Sequence, residues 1–242
     1  MRLHRFIKDI DIKLGVHRIK DGEILNQFKN VLKFRIGERV VICDGRLNEG
    51  TGEIIGYGKD YVEINILELG INKNEPDKNV ILYCSILKKE SFELVVQKAT
   101  EAGIKEIVPV ITDRTVKLDI RKDRLEKIIK EAAEQSGRGI VPVLRNPMNF
   151  EKAVADIGKD DINFLFDSSG ESFENRSADR WIEIENNPLG IWVGPEGGWI
   201  DHELKLAQKS EFRTINLGKL TLRAETAAIV ASYLVVHNFV CR

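Results

Sequence analysis

Short apolar segments of strand length alternate with amphipathic segments of helix length from residue 79 onwards. Val80–Leu87 is an almost continuous apolar run, which is typical of a strand buried on both faces. Ser91–Ala102 repeats its apolar residues at helical spacing until Gly103 ends the pattern. Pro109 indicates that the next strand is an edge strand or ends there. The alternation predicts a parallel α/β sheet with helices on both faces. Its later elements are strands at 107–111, 162–167 and 189–193, and helices at 124–135 and 224–236.

The N-terminal part differs because its apolar segments are short, rich in β-branched residues and separated by turn residues. One short helix is predicted at Asn26–Leu32. Several short strands within about seventy residues predict a small β-barrel. The polar segment Asn72–Asn79 contains a proline and separates this part from the rest. We therefore divide the chain into a β-barrel domain at residues 1–71 and an α/β domain at residues 79–242.

The composition predicts a globular protein in the cytoplasm. Hydrophobic residues make up 43% of the 242 residues and charged residues 31%. The first residues are charged, unlike a signal peptide, and the longest apolar run, Thr226–Val236, is too short to cross a bilayer. We therefore expect no membrane association. The three cysteines lie far apart without a CxxC spacing, so we expect neither a disulfide framework nor a metal site.

Positive charge is concentrated near the N-terminus, although the net charge is only −1. Residues 1–46 hold eleven Lys and Arg against six Asp and Glu. Such a section can contact nucleic-acid phosphates. An ordinary solvated surface explains the same charges, so the charge pattern leaves both interpretations open.

A glycine-rich loop follows the strand at 189–193. Its sequence, Gly194–Gly198, reads Gly-Pro-Glu-Gly-Gly and lacks both the Lys-Ser/Thr of a P-loop and the GxGxxG of a dinucleotide fold. Asp201 is placed to cap the following helix and Glu203 lies in its first turn, so this helix start would repel a phosphate. The loop is either part of a site for a ligand without phosphate at that position or a tight turn.

A second loop, Leu217–Arg223, links a short apolar strand to the last helix. Leu220 and Leu222 offer apolar walls, and backbone groups near Gly218 offer hydrogen bonds, a combination that suits an aromatic base such as adenine. Arg223 runs against the helix macrodipole, which is a mild indication of function. A salt bridge from Arg223 to a nearby carboxylate explains its position equally well.

Both loops resemble the cofactor loops of the SPOUT methyltransferases, and the likeness is greatest to the branch called RsmE-type, which methylates N3 of a uridine in 16S ribosomal RNA. Phe28 departs from this family, whose members often carry histidine there. The segments that carry the resemblance run in order along the chain: His4–Phe6, Val31–Glu38, Gln97–Gly103, Glu134–Arg138, Gly194–Gly198 and Leu217–Ala227.

The resemblance implies a C-terminal trefoil-knotted α/β domain, an N-terminal PUA-like barrel that binds RNA, and S-adenosylmethionine as the methyl donor. Arg223 and Glu196 are the implied catalytic residues. Glu196 would act as a base for the uridine N3 proton, and Arg223 would stabilise a developing enolate oxygen. The implied cofactor-binding residues are Leu165, Gly194, Pro195, Glu196, Gly197, Gly198, Leu217, Gly218, Leu220, Leu222, Arg223 and Thr226.

The resemblance also implies a homodimer that acts on 16S ribosomal RNA within the small ribosomal subunit, without a membrane. Two alternatives stay open: a SPOUT enzyme acting on another RNA position or on a tRNA ribose, and a ribosome-binding factor without catalysis. The residues expected to contact RNA are Arg5, Lys33, Arg35, Lys88, Lys89, Lys98, Arg114 and Arg138.

Overall fold

A computed structural model describes residues 3–116, 119–173 and 187–239 of the chain. Its contacts divide the protein into two compact units. Unit 1 consists of Met1–Glu75 together with Ala133–Val141, and unit 2 of Pro76–Ala132 together with Pro142–Arg242. The sequence-based division placed all of 79–242 in the second domain, so the inclusion of Ala133–Val141 in unit 1 is a difference from it. No helix in the described part of the chain is long and apolar enough to span a lipid bilayer.

Unit 1 is built on a five-stranded sheet with the order β1-β3-β4-β5-β2. β1 runs parallel to β3, and the remaining pairs are antiparallel. The two edge strands, β1 and β2, do not pair with each other among the described residues, so the predicted closure into a barrel is not observed. The strands are β1 (His4–Ile7), β2 (Gly15–Ile19), β3 (Arg39–Cys43), β4 (Asn48–Tyr57) and β5 (Val62–Ile71).

One short helical segment packs against this sheet and supplies its core with aromatic rings. It consists of α1 (Gly22–Asn26) and a π-helical turn at Gln27–Val31. It begins before the predicted Asn26 because the Asp21 carboxylate accepts the backbone N–H groups of the first turn. Phe28, at which the sequence departs from the family resemblance, is fully buried and packs against the rings of Phe6 and Phe34. This position is therefore part of the core.

Glu75 explains why Ala133–Val141 belongs to unit 1. Its carboxylate accepts bonds from the Arg138 guanidinium and from the backbone N–H groups of Gly139 and Ile140. Burial raises the pKa of Glu75, but these donors outweigh burial and hold the pKa below its usual range. The Arg138 side chain is only 4% exposed. We therefore withdraw Arg138 from the RNA-contacting residues, because its guanidinium is enclosed in this ion pair.

Unit 2 contains a fully parallel sheet with the order β12-β10-β11-β6-β7-β8, and a short strand β9 that also pairs with β7. The predicted strands and helices are all present, extended or shortened by a few residues. The strands are β6 (Val80–Ser85), β7 (Glu106–Ile111), β8 (Val143–Leu144), β9 (Met148–Asn149), β10 (Ile162–Ser172), β11 (Leu189–Val193) and β12 (Arg213–Asn216). The helices are α2 (Lys89–Ala102), α3 (Lys122–Ser136), α4 (Phe150–Ala155), α5 (Asp201–Lys209) and α6 (Ala224–Phe239).

Pro109 lies inside the sheet, in the middle of β7, and not at the predicted edge. β7 pairs with β6 on one side, and on the other with β8 near Ile107 and with β9 near Val110. The carbonyl oxygen of Ile107 accepts a hydrogen bond on the β8 side of β7. Alternate residues of a strand face the same side, so the nitrogen of Pro109, which carries no hydrogen, also faces that side. A proline is tolerated there because the partner strand is interrupted between β8 and β9.

Helices cover both faces of this sheet. α2 and α6 pack on each other and α6 packs on β6 and β11, whereas α4 and α5 lie together on the other face near β7 and β9. The core of the second face is aromatic: Tyr83 stacks on Trp192 with ring centroids 4.0 Å apart, and Trp199 packs nearby. Trp192 is fully buried in β11, one residue before the strand ends. This rigid layer supports the loops that leave the carboxyl ends of the strands.

Candidate active site

The two glycine loops leave the same edge of the unit 2 sheet. The loop that follows β11, Gly194–Ile200 (loop 1), and the loop that follows β12, Leu217–Arg223 (loop 2), both start at carboxyl ends of parallel strands. β10 lies between β11 and β12, so the loops begin about 10 Å apart. The carboxyl edge of an open α/β sheet is where such folds bind ligands. The position of both loops there makes this edge the candidate site.

Loop 1 begins with a tight turn. The Gly198 N–H donates to the Pro195 carbonyl oxygen at 2.9 Å, and Gly198 has a φ of +71°. The Trp199 indole is buried beneath the turn and donates to the carbonyl of Phe166 in β10. Gly194 lies directly over this indole, so a Cβ there would stand 3.0 Å from the ring. The turn therefore depends on the absence of a side chain at Gly194 and on the buried Trp199 ring beneath it.

Three neighbouring elements brace loop 1. The Arg114 guanidinium donates to the Gly197 carbonyl oxygen, and the Lys88 backbone N–H donates to a Glu196 carboxylate oxygen at 3.4 Å. Glu203 is only 2% exposed, and its carboxylate accepts the Ile200 and Asp113 backbone N–H groups at 2.9 and 3.1 Å. Loop 1 is thus held by the segments that follow β6 and β7 and by α5.

The helix after loop 1 differs from the expected arrangement. α5 begins at Asp201, and the residue before it, Ile200, is its N-cap. Asp201 was predicted to be that cap, but it is the first helical residue. Glu203 performs the capping by accepting the Ile200 N–H. The acidic first turn is nevertheless present, as predicted, and disfavours a phosphate at this helix start.

Loop 2 is more open. The Gly218 N–H donates to the Asn216 side-chain oxygen at 3.1 Å, and Gly218 has a φ of +116°. Leu220 is 83% exposed, whereas Leu222 is half-buried. Arg223 is exposed at the start of α6, where its carbonyl accepts the Ala227 N–H. Among the described residues Arg223 forms no ion pair, so its guanidinium is available to a ligand.

Glu196 also affects the residue at the end of β6. The Cys84 thiol is completely buried there, and burial, with the negative charge of Glu196, raises its pKa. The Glu196 side chain itself is exposed. Loop 1 therefore presents a carboxylate to solvent above an inert thiol. No group of three or more His, Cys, Asp or Glu side chains in the described part of the chain is arranged to hold a metal ion.

Leu165 lies apart from this edge. Its side chain is fully buried in the aromatic core, and its backbone pairs with Trp192 on one side and Thr214 on the other. We therefore withdraw Leu165 from the cofactor-contacting residues, because neither its side chain nor its backbone is free to reach a ligand. Thr226, by contrast, is exposed in the first turn of α6, directly after loop 2.

The basic residues expected to contact RNA fall into different environments. In unit 1, Lys33 and Arg35 are exposed, whereas the Arg5 guanidinium contacts Glu49 and the Cys43 sulfur and the Arg5 side chain is only 15% exposed. In unit 2, Lys88 and Lys89 are exposed beside loop 1, Arg114 braces that loop, and Lys98 pairs with Glu101. The exposed lysines and Arg35 are therefore the better-placed candidates.

Sequence reasoning missed two residues that shape the site. Glu203 was interpreted only as a first-turn charge, although its carboxylate joins two loops. Asn216, the last residue of β12, was not singled out at all. The Asn-Leu-Gly sequence at 216–218 was an available signal, because asparagine before a turn commonly bonds to the N–H two residues on.

Known families match both units of the chain. Residues 73–236 match the RNA methyltransferase domain family, and residues 18–67 match the RNA methyltransferase PUA domain family. The ribosomal RNA small subunit methyltransferase E of Mesomycoplasma hyopneumoniae is 36% identical over 171 residues, which cover 68% of this chain and 72% of the relative. The protein of the same name from Rickettsia conorii is 30% identical over 204 residues, or 84% and 82% of the two chains.

This chain belongs to the ribosomal RNA small subunit methyltransferase E family.

A solved member of the methyltransferase E family supports the fold. The crystal structure of the ribosomal RNA small subunit methyltransferase E from Neisseria gonorrhoeae, bound to S-adenosyl methionine, superposes with a TM-score of 0.86 at 26% identity and covers 97% of each chain. The predicted fold class, a SPOUT-type α/β domain preceded by a PUA-like domain, is confirmed. The predicted enzyme class, an RNA methyltransferase, is confirmed as well.

Proposed function

We propose that this protein transfers a methyl group from S-adenosylmethionine to N3 of a uridine in 16S ribosomal RNA. One observation carries the proposal: in a chain of the methyltransferase E family, both glycine loops lie at the carboxyl edge of one parallel sheet. Only β10 separates the strands from which they emerge. The two loops are therefore placed to hold one ligand between them.

The loops suit S-adenosylmethionine in charge and polarity. The ligand carries a positive sulfonium and no phosphate, and the acidic first turn of α5 favours a cation over a phosphate. Leu220 and Leu222 supply apolar surface for the adenine ring, and the backbone around Gly218 supplies hydrogen-bonding groups. The S-adenosyl methionine in the Neisseria gonorrhoeae structure supports this assignment. The residues assigned to the cofactor are Gly194–Gly198, Leu217, Gly218, Leu220, Leu222, Arg223 and Thr226.

Catalysis would depend mainly on alignment. When bound, the cofactor would supply an electrophilic methyl carbon; the bond from this carbon to the sulfonium sulfur would break as the nucleophile bonds to the carbon from the opposite side, and a neutral thioether would leave. The rigid bracing of loop 1 fixes one wall of the site, so binding energy can hold the nucleophile in line with that bond. Uridine N3 carries a proton, which must leave or be shared during the attack.

Glu196 and Arg223 are the side chains suited to that proton and charge. The Glu196 carboxylate is exposed and positioned by the Lys88 N–H, so it can accept the N3 proton as a general base. The Arg223 guanidinium, exposed at the start of α6, can stabilise the negative charge that develops on a uracil carbonyl oxygen. The two groups come from loops on opposite sides of β10.

Exposed cations would bind the RNA. Lys33 and Arg35 in unit 1, and Lys88 and Lys89 beside loop 1, have side chains accessible to phosphates. Arg114 can contact RNA with the guanidinium N–H groups that it does not use on Gly197. If the double variant Lys33→Ala/Arg35→Ala bound RNA with unchanged affinity and salt dependence, the role of unit 1 would be rejected.

We further propose that the protein acts in the cytoplasm as a homodimer on the small ribosomal subunit. The family resemblance implies a dimer with the last helix near the interface. On α6 the Tyr233 side chain is 55% exposed and packs against the His237 ring with centroids 4.1 Å apart, which leaves aromatic surface for a second copy. Light scattering at working concentration should give the mass of a dimer, and the mass of a monomer would reject this part of the proposal.

Primer extension on 16S ribosomal RNA tests the proposed reaction. N3 methylation blocks Watson–Crick pairing, so reverse transcriptase should stop at one uridine in cells that carry the gene and read through it in cells that lack it. Restoring the gene should restore the stop, whereas the Arg223→Met variant should not. An unchanged stop pattern in the deletion strain would reject the proposed target. A methyl group mapped instead to a ribose would identify a different reaction.

A further inference from the structure

The side chain of Asn216 connects two segments at the candidate site. Its amide nitrogen donates to the Gly170 carbonyl at 2.6 Å, and its amide oxygen accepts the Gly218 N–H at 3.1 Å. Gly170 belongs to β10, and Gly218 belongs to loop 2. The Asn216 carboxamide therefore links β10, the strand between the two loops, to loop 2.

The segment of β10 that Asn216 contacts is irregular. β10 pairs with β12 in a parallel register up to Phe166, and the pairing resumes at Glu171 after a shift, so that both residues oppose Ile215. Residues 167–170 form a bulge between the two loops. Gly170 is pressed against β12, because a Cβ there would lie 2.4 Å from the Ile215 nitrogen. The bulge thus presents a carbonyl at a fixed distance from Asn216.

Loop 2 needs such an anchor. Gly218 has a φ of +116°, a backbone conformation that mainly glycine adopts. Because glycine also has the greatest backbone freedom, Gly218 leaves this conformation easily unless another group holds it. Leu220 and Arg223 beyond it are exposed. Among the described residues, the bond to Asn216 is the one side-chain hydrogen bond recorded for loop 2.

We propose that Asn216 is a positioning residue for the cofactor. It holds the Gly218 backbone in its binding conformation and uses the Gly170 carbonyl of the β10 bulge as its support. It contacts neither the methyl group nor the uridine, and acts through the loop that binds the adenosine portion. This inference rests on the proposed function, because it assigns Asn216 to the site where S-adenosylmethionine is expected to bind.

Calorimetry with S-adenosylmethionine on the full chain tests this role. Asn216→Ala removes both hydrogen bonds and should weaken binding about tenfold. Asn216→Asp retains the acceptor for Gly218 but replaces the donor to Gly170 with an anionic oxygen that repels the Gly170 carbonyl, so it should weaken binding at least as much as Asn216→Ala does. The matched control is Asn163→Ala, since Asn163 lies near the opposite end of β10 and its side chain accepts the Trp192 indole N–H. The control should lower thermal stability and leave the affinity within about twofold.

Steady-state kinetics separates positioning from general damage. Asn216→Ala should raise the KM for S-adenosylmethionine and leave the KM for RNA unchanged. An Asn216→Ala variant that binds as wild type does, or an Asn163→Ala variant that loses the same affinity, would overturn the inference. An Asn216→Asp variant that binds S-adenosylmethionine as tightly as wild type would also overturn the inference, because the bond to the Gly170 carbonyl would then not contribute to cofactor binding. If wild type itself fails to bind S-adenosylmethionine, the proposed function fails instead.

Discussion

Loops 1 and 2 flank the same strand but are held in different ways. Loop 1 is braced from outside: Arg114 and Lys88 bond to it, Glu203 fixes its far end, and the Trp199 indole lies beneath it. Loop 2 is anchored by Asn216, and its middle projects into solvent. A loop held by several neighbours is preformed, whereas one with a single anchor must be ordered by its ligand. The candidate site therefore has one preformed side, loop 1, and one side that the ligand must order, loop 2.

The largest effect should come from removing the positive charge of Arg223 in loop 2. Arg223→Met removes a guanidinium that is assigned both to the cofactor and to the charge that develops in the transition state, so kcat at saturating cofactor should fall about 100-fold and S-adenosylmethionine affinity should fall less. Single-turnover methylation assays with saturating cofactor measure this. Lys219→Met is the matched control, because Lys219 is an exposed cation in the same loop. Equal losses in both variants would show that loop 2 contributes only general positive charge.

Glu203 tests whether loop 1 is the braced wall. Glu203→Gln replaces one of two accepting oxygens with an amide group that faces a backbone N–H, so the free energy of unfolding should fall by about 1–3 kcal/mol. Glu225→Gln makes the same change in the first turn after loop 2 and should cost about 0.5 kcal/mol or less. Chemical denaturation of both variants gives the comparison. Equal costs would contradict the difference between the loops.

Gly198 and Gly218 provide a matched pair across the two loops. Both have positive φ angles, +71° and +116°, and a Cβ on either would meet open space. Alanine at each position should therefore introduce mainly backbone strain, about 1–3 kcal/mol. In braced loop 1 this strain should appear as a lower melting temperature. In loop 2 the chain can relax, so the strain should appear as weaker cofactor binding at nearly unchanged stability. The reverse assignment would contradict the account.

The smallest effect concerns the thiol at the end of β6. Because Cys84 is buried and its pKa is raised, it should resist alkylation at pH 8 in the wild type. Loosening loop 1 with Glu203→Gln should make a small fraction reactive, whereas Gly218→Ala should not. Mass spectrometry of the peptide that contains Cys84 distinguishes these cases. Rapid labelling of Cys84 in the wild type would show that this region is not rigid.

Periodicity predicted most of the unit 2 fold, because buried strands such as β6 and amphipathic helices such as α2 follow directly from local apolar spacing. It could not predict the interrupted pairing around Pro109, which depends on where β8 and β9 happen to end. Nor could it assign Ala133–Val141 to unit 1, because Glu75 recruits that segment through contacts more than sixty residues apart in sequence.

The sequence predicts the two loops of the site but not the side-chain contacts that hold them. Glycine content and the family resemblance identified loops 1 and 2, since both features are local. The bracing by Arg114, Glu203 and Asn216 depends on which side chains meet at the sheet edge, and periodicity says nothing about that. Periodicity likewise says nothing about the trefoil knot that the resemblance implies, because a knot depends on how the chain threads and knots are rare among protein folds. Leu165 is separated from the residues of the site by its buried side chain together with a backbone that is paired on both sides.

Hydrogen exchange at the Gly198 and Leu220 amides tests the central claim most directly. We expect Gly198 to be protected in the free protein and to stay so, because its N–H donates to the Pro195 carbonyl oxygen. Leu220, in the exposed middle of loop 2, should exchange fast in the free protein and become protected when S-adenosylmethionine saturates the site. S-adenosylmethionine that leaves the exchange of Leu220 unchanged, or that protects amides away from both loops, would contradict the claim that these loops form the two walls of the cofactor site.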